Sequence, residues 1–214
     1  MRDFPFFTTD FGVASLVLRE IPYKKEAYIC VRDVQPGMLP DLLAECISFC
    51  KMAGAQQIYA SGHDGLSLYP LFMTVLQMRG QVTTFRESTV CLFPVTEKTV
   101  GAWRELYNQK MKSVHNSRTL EKRDEKQLLE SSGVYFVHEG GVLQGIGWVE
   151  DSKLLAIASA VPGAGEKVLT ALMDLVPEEH MTLEVASDNI AAIRLYERMG
   201  FLKTGEVSRW YDVT

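Results

Sequence analysis

Apolar positions in the second half of the chain switch between a period of two and a helical period, and each switch falls at turn residues. Residues 90–96, 133–139, 142–150 and 153–161 read as strands. Gly140 and Gly141 join the second and third of these, because both can take the positive φ that a two-residue hairpin turn requires. Residues 97–112 carry Trp103, Leu106, Tyr107 and Met111 at helical spacing. After a break at residues 115–118, a charged helix is expected from Thr119, anchored by Leu120, Leu128 and Leu129. Gly163, Ala164 and Gly165 open a further helix to about Val176, which Pro177 stops.

Residues 181–187 then read as a buried strand with one isolated carboxylate, Glu184. Asp188 or Asn189 can cap the helix that follows, since either side chain accepts a bond from an orphan backbone N–H. Ile190, Ile193, Leu195, Tyr196 and Met199 share its apolar stripe, and Gly200 ends it in the left-handed conformation that glycine tolerates. Residues 205–213 form a last strand.

The first 85 residues echo this order. Pro36-Gly37 precedes a helix as Pro162-Gly163 does, and Ala60-Ser61 ends a strand as Ala186-Ser187 does, both 126 positions apart. At the same offset Leu42, Leu43 and Ile47 fall opposite Val168, Leu169 and Met173. The expected elements are strands at residues 13–21 and 27–34, a helix, a strand and another helix. Further on, Leu68-Tyr69 and Arg79-Gly80 parallel Leu195-Tyr196 and Met199-Gly200, with an insertion between them.

Composition narrows the function. Over 214 residues, 47% are apolar and 23% charged, as in an ordinary globular protein. The net charge of -5 argues against nucleic-acid binding, which needs a basic surface to displace counterions. No apolar run is long enough to span a bilayer, and the first seven residues lack the cationic start and apolar core of a signal peptide. Cys30, Cys46, Cys50 and Cys91 show no disulfide framework and fit a reduced, cytoplasmic protein. Cys46 and Cys50 share a helix face without the further ligands a metal would need, so both are expected in a core.

The run Leu183-Glu184-Val185, Asn189 five residues after the Glu, Ala192 three later, and Leu195-Tyr196-Glu197-Arg198-Met199-Gly200-Phe201 closely resembles the signature of the GNAT superfamily of N-acetyltransferases. The element order β-α-α-β-β-β-α-β-α-β-β from residue 90 to residue 213 is the one expected of that fold. The resemblance implies an α/β protein, a mixed central sheet flanked by helices, with a complete catalytic domain at residues 86–214. Residues 1–85 would then be a truncated, GNAT-like domain without a catalytic role.

It also implies the chemistry: acetyl-CoA as co-substrate, direct attack of an amine on the thioester, and no metal. The acceptor would be a small-molecule amine or a peptide N-terminus, with a homodimer left open. Strand residues Ser159, Ala160 and Val161 would face the pantetheine arm. The turn and helix start at Gly163, Ala164, Gly165, Glu166 and Lys167 would cradle the pyrophosphate, where backbone N–H groups lack intrahelical partners. Against the family pattern Gln/Arg-x-x-Gly-x-Gly/Ala, Gly163 and Gly165 match and Ala160 departs, and Glu166 brings a carboxylate that Lys167 partly offsets.

Tyr196 is the candidate general acid, with a core tyrosine as the alternative. Glu184, twelve residues earlier, is the candidate base, expected half-buried with a raised pKa; an ion pair with a neighbouring strand is its alternative. His138 and Glu139 are weaker candidates. Asn189 would reach the pantetheine amides or simply cap its helix. Tyr107, Asn108, Met111, His115, Arg118, Trp210 and Tyr211 are candidates for the acceptor pocket, His115 being expected exposed. The altered loop admits a second function, a CoA-binding sensor or scaffold that has lost turnover.

Overall fold

The structure is a computed structural model that describes residues 6–82, 90–115 and 117–214. Residues 1–5, part of the stretch read for a leader, and the boundary drawn at residue 85 lie outside the described residues. The chain forms two units, one of residues 1–75 with 206–214 and one of residues 76–205.

The first unit contains β1 (Phe6–Thr9), β2 (Gly12–Val17), α1 (Ile21–Lys24), β3 (Glu26–Val34), α2 (Leu39–Met52), β4 (Gln57–Ser61) and the start of β5 (Leu71–Gln81). β1, β2 and β3 are antiparallel, and β4 pairs parallel to β3 over five rungs, from Glu26 opposite Gln57 to Cys30 opposite Ser61. Leu16, Ile29, Leu42, Leu43, Cys46, Cys50 and Ile58 form its core, so the two cysteines are packed as their spacing predicts. The helix expected around residues 68–80 is absent. A short 3-10 turn, Asp64–Leu68, leads instead into the strand β5.

The second unit contains the end of β5, β6 (Val90–Pro94), α3 (Val100–Met111), α4 (Glu125–Glu130), β7 (Val134–Glu139), β8 (Val142–Glu150), β9 (Lys153–Ser159), α5 (Gly165–Met173), β10 (His180–Ala186), α6 (Ile190–Arg198) and the start of β11 (Leu202–Asp212). Its strand order is β5-β10-β9-β8-β7-β6. The remainder of β11 belongs to the first unit, where Tyr211 and Asp212 pair antiparallel with Ala60 and Tyr59. The charged helix expected from Thr119 is shorter than its sequence suggests. Residues 122–124 form a 3-10 turn and only Glu125–Glu130 is α-helical.

One face of this sheet carries α3 and α4. Trp103, Tyr107, Leu120 and Leu128 pack there on Ile146, Trp148, Ala156 and Ala158. The fully buried Trp103 also donates its indole N–H to the Tyr135 carbonyl at 3.0 Å, so its burial leaves no polar group unsatisfied. The other face carries α5 and α6. Leu169, Leu172, Met173 and Tyr196 pack there on Val137, Leu154, Leu183 and Val185. Gly147 sets how close α5 can lie, because a Cβ on it would stand 2.2 Å from Leu172 Cδ1.

β9 carries a bulge. Trp148 pairs with Ala156 and the next residue, Val149, pairs with Leu154, which leaves Leu155 as an extra residue. Across that residue the strand changes faces: Leu154 sits in the α5 core and Ala156 in the α3 core. The parallel pairing of β9 with β10 comprises only Lys153 with Thr182 and Leu154 with Leu183. Beyond the bulge the two strands part.

Candidate functional site

The space between the parted strands is a cleft of about 690 Å3. Residues Leu155 to Ser159 of β9 form one wall, and Glu184, Val185 and Ala186 of β10 the other. Tyr107, Lys110 and Met111 of α3 close one side, and Ala192, Leu195, Tyr196 and Arg198 of α6 line it as well. All of these belong to the second unit.

The turn after β9 opens onto the same cleft. Gly163 has φ +80, a left-handed backbone that favours glycine, and Gly37 in the first unit has the same value. Gly165 begins α5, and a Cβ there would meet Leu195 Cδ2 at 3.0 Å, so glycine keeps this corner narrow. The amides of Gly165, Glu166 and Lys167 lie in the first helical turn, where the helix supplies no acceptor and the dipole favours an anion. Lys110 adds a cation nearby, its Nζ donating to the Ala160 carbonyl at 3.4 Å. Glu166 opposes it. Lys167 does not offset Glu166 locally, because its Nζ pairs with Glu139 Oε2 at 2.5 Å.

Seven of the catalytic and cofactor-binding candidates line the cleft: Ser159, Gly163, Gly165, Glu166, Glu184, Asn189 and Tyr196. Ala160, Val161, Ala164 and Lys167 are not in its lining. Ala160 donates its amide to the Gln144 carbonyl at 2.7 Å, extending the β8–β9 ladder, and Ala164 is buried under the turn.

Tyr196 is 6% exposed, with its ring 5.8 Å from Phe201, and burial pushes its phenol above the ordinary tyrosine range. No side chain among the described residues bonds its hydroxyl. Glu184 is not half-buried as expected. It is exposed, and Lys153 Nζ donates to its Oε1 at 2.6 Å, the inter-strand pair foreseen as the alternative. Asn189 caps α6, with Oδ1 accepting from the Ala192 amide at 3.2 Å, while its side chain also borders the cleft.

Of the residues expected around the acceptor, Tyr107 and Met111 reach the cleft. Asn108 instead exchanges two hydrogen bonds with the Leu120 backbone, and Arg118 bonds Gln127. His115 is part-buried rather than exposed, its Nδ1 2.5 Å from Asp188 Oδ2. Trp210 and Tyr211 belong to the first unit, where Trp210 meets Tyr28 edge-on. His138 packs edge-on against Phe93, away from the cleft lining. Lys110, Lys153 and Arg198 were not named as site candidates. Lys110 had a sequence signal, lying one turn beyond Tyr107 on the same helix face, and Arg198 stood within the signature run.

Among the described residues, no three His, Cys, Asp or Glu side chains are grouped to hold a metal ion. No helix of the described residues is long and apolar enough to cross a membrane.

A strand pair opened by a bulge, a left-handed glycine turn and a capped helix bearing a tyrosine meet at this cleft. Residues 100–201 match the model of the Acetyltransferase (GNAT) family. Solved structures share the fold. A GCN5-related N-acetyltransferase from Kribbella flavida superposes with a TM-score of 0.59 at 13% identity, covering 100% of this chain and 91% of its own. A GNAT-family acetyltransferase from Colwellia psychrerythraea gives 0.53 at 12% identity, covering 98% and 84%. A tandem GNAT protein from the clavulanic acid biosynthesis pathway gives 0.55 at 14% identity, covering 94% and 78%. No curated protein matches the chain.

Proposed function

We propose that this protein transfers an acetyl group from acetyl-CoA to a primary amine by direct attack on the thioester, without a metal or a covalent enzyme intermediate. The observation that carries this reading is the parting of β9 from β10 beside Tyr196. The amine nitrogen bonds to the acetyl carbon as the carbon–sulfur bond breaks, so one proton must leave the nitrogen and one must reach the sulfur.

The turn at Gly163 and the first amides of α5 hold the phosphates, with Lys110 as counter-charge. Strand residues beyond Leu155, freed from β10, offer backbone groups to the pantetheine arm. Tyr196 supplies the proton for the thiolate. Burial raises the phenol, but the same apolar surroundings raise the proton affinity of the departing sulfur, which keeps the transfer feasible. Glu184 accepts the proton from the amine directly or through water; Lys153 occupies Oε1. The first half, residues 1–85 in this reading, is a GNAT-like domain without a catalytic role. Its parallel pair β3–β4 stays bonded over five rungs, with no comparable opening.

Calorimetry with acetyl-CoA and CoA, followed by thiol release across a panel of amines, tests this. Binding followed by amine-dependent thiol release is expected. No binding at millimolar ligand would overturn it.

A further inference from the structure

We propose that the acceptor is a small amine that carries a carboxylate, of amino-acid size, seated in a second recess beside the cleft. The inference rests on the acetyltransferase reading and adds the substrate class.

The recess measures about 290 Å3 and lies within the second unit. Gln77 and Arg79 of β5, Glu178, His180 and Thr182 at and along β10, and Thr204 of β11 line it. Every lining residue has a polar or charged side chain, which supplies hydrogen-bonding groups for a small polar ligand. Its volume is at the lower end for ligand sites and suits one amino acid rather than a folded partner.

Its position links it to the chemistry. Met181, Leu183 and Val185 of β10 face the core, so His180, Thr182 and Glu184 share the opposite face. Thr182 lies in the recess and Glu184 in the cleft, about 7 Å along the same strand. Ser152 and Lys153 divide in the same way, the first lining the recess and the second the cleft. The Lys153–Glu184 pair therefore stands at the border of the two spaces, and a short ligand in the recess can present its nitrogen to Glu184.

Charge selects the ligand. Arg79 makes no ion pair among the described residues, and its planar guanidinium matches a carboxylate with two parallel bonds. Glu178 on the same wall disfavours a purely anionic ligand, while a zwitterion brings its own cation. Arg79 thus fixes the carboxylate end, and the amine points toward the acid at the border.

The test compares each of the twenty standard amino acids with its carboxamide, which keeps size and amine but removes the negative charge. With the wild-type protein and acetyl-CoA, kcat/KM for the best amino acid should exceed that of its amide about ten- to a hundredfold. Arg79→Gln should bring the ratio close to one through KM, while Arg79→Lys should keep part of it; thermal melts check that both variants fold. Equal or better turnover of the amides, or a ratio unmoved in Arg79→Gln, would overturn the substrate class and leave acetyl transfer standing. Absence of both CoA binding and thiol release would overturn both readings together.

Discussion

Lys153 Nζ and Glu184 Oε1 stand 2.6 Å apart, joining β9 to β10 at the last rungs before the strands separate. Both side chains reach water, so the pair contributes little to folding, at most about 1 kcal/mol. Lys153→Met should lower the melting temperature by no more than about 4 °C. Glu184→Gln should lower kcat about a hundredfold with little change in CoA affinity. Turnover unchanged in Glu184→Gln would remove Glu184 from the reaction without touching the assignment of the cleft.

Tyr196→Phe removes one oxygen from a side chain whose ring remains packed. Stability and CoA affinity should stay near wild type, while kcat falls about a hundredfold. Thiol-release kinetics read the rate and calorimetry the affinity. A fall in affinity with kcat preserved would assign the hydroxyl to binding instead.

Gly147→Ala should destabilise the second unit by about 1–3 kcal/mol, because the new methyl enters the space of the Leu172 side chain. Urea denaturation measures the loss. Leu172→Ala combined with Gly147→Ala should cost less than the sum of the two changes, since the deleted side chain vacates that space.

Buried thiols make the first unit sensitive to alkali. Burial, with smaller contributions from Cys50 and Glu45, pushes Cys46 up to about 12, and burial pushes Cys50 up to about 11. In the unfolded chain both ionise near 9.0. Their stabilising contribution is complete below pH 9 and is lost as pH rises through 11 and 12. The urea midpoint should fall steadily above pH 9, and Cys46→Ala with Cys50→Ala should give a lower but shallower profile.

The second unit was largely legible because local signals coincide there. Asn189 caps α6 and Gly200 ends it at φ +82, both at the positions their chemistry dictates. α2 and α5 begin at Leu39 and Gly165, in the register of the internal echo. β5 was not legible. Leu71–Gln81 contains Leu, Met, Gln and Arg, which favour helices, and becomes a strand because neighbouring strands supply its backbone partners. The bulge at Leu155 was equally hidden, since a one-residue slip between β8 and β9 leaves no mark in composition. Glu184 was misjudged for a related reason. An isolated acid among apolar residues looks buried, but alternation along β10 turns it toward Lys153 and solvent.

Leu155 works as a counted spacer. Deleting it would make β9 a regular strand while keeping every residue from Ala156 onward in place. Leu154 would then directly precede Ala156 and, alternating with it, would still face the hydrocarbon it now fills, with Lys153 on the opposite side. A one-codon loss would therefore close the β8–β9 ladder without misplacing a side chain, so the irregularity beside the cleft is written in the length of the strand.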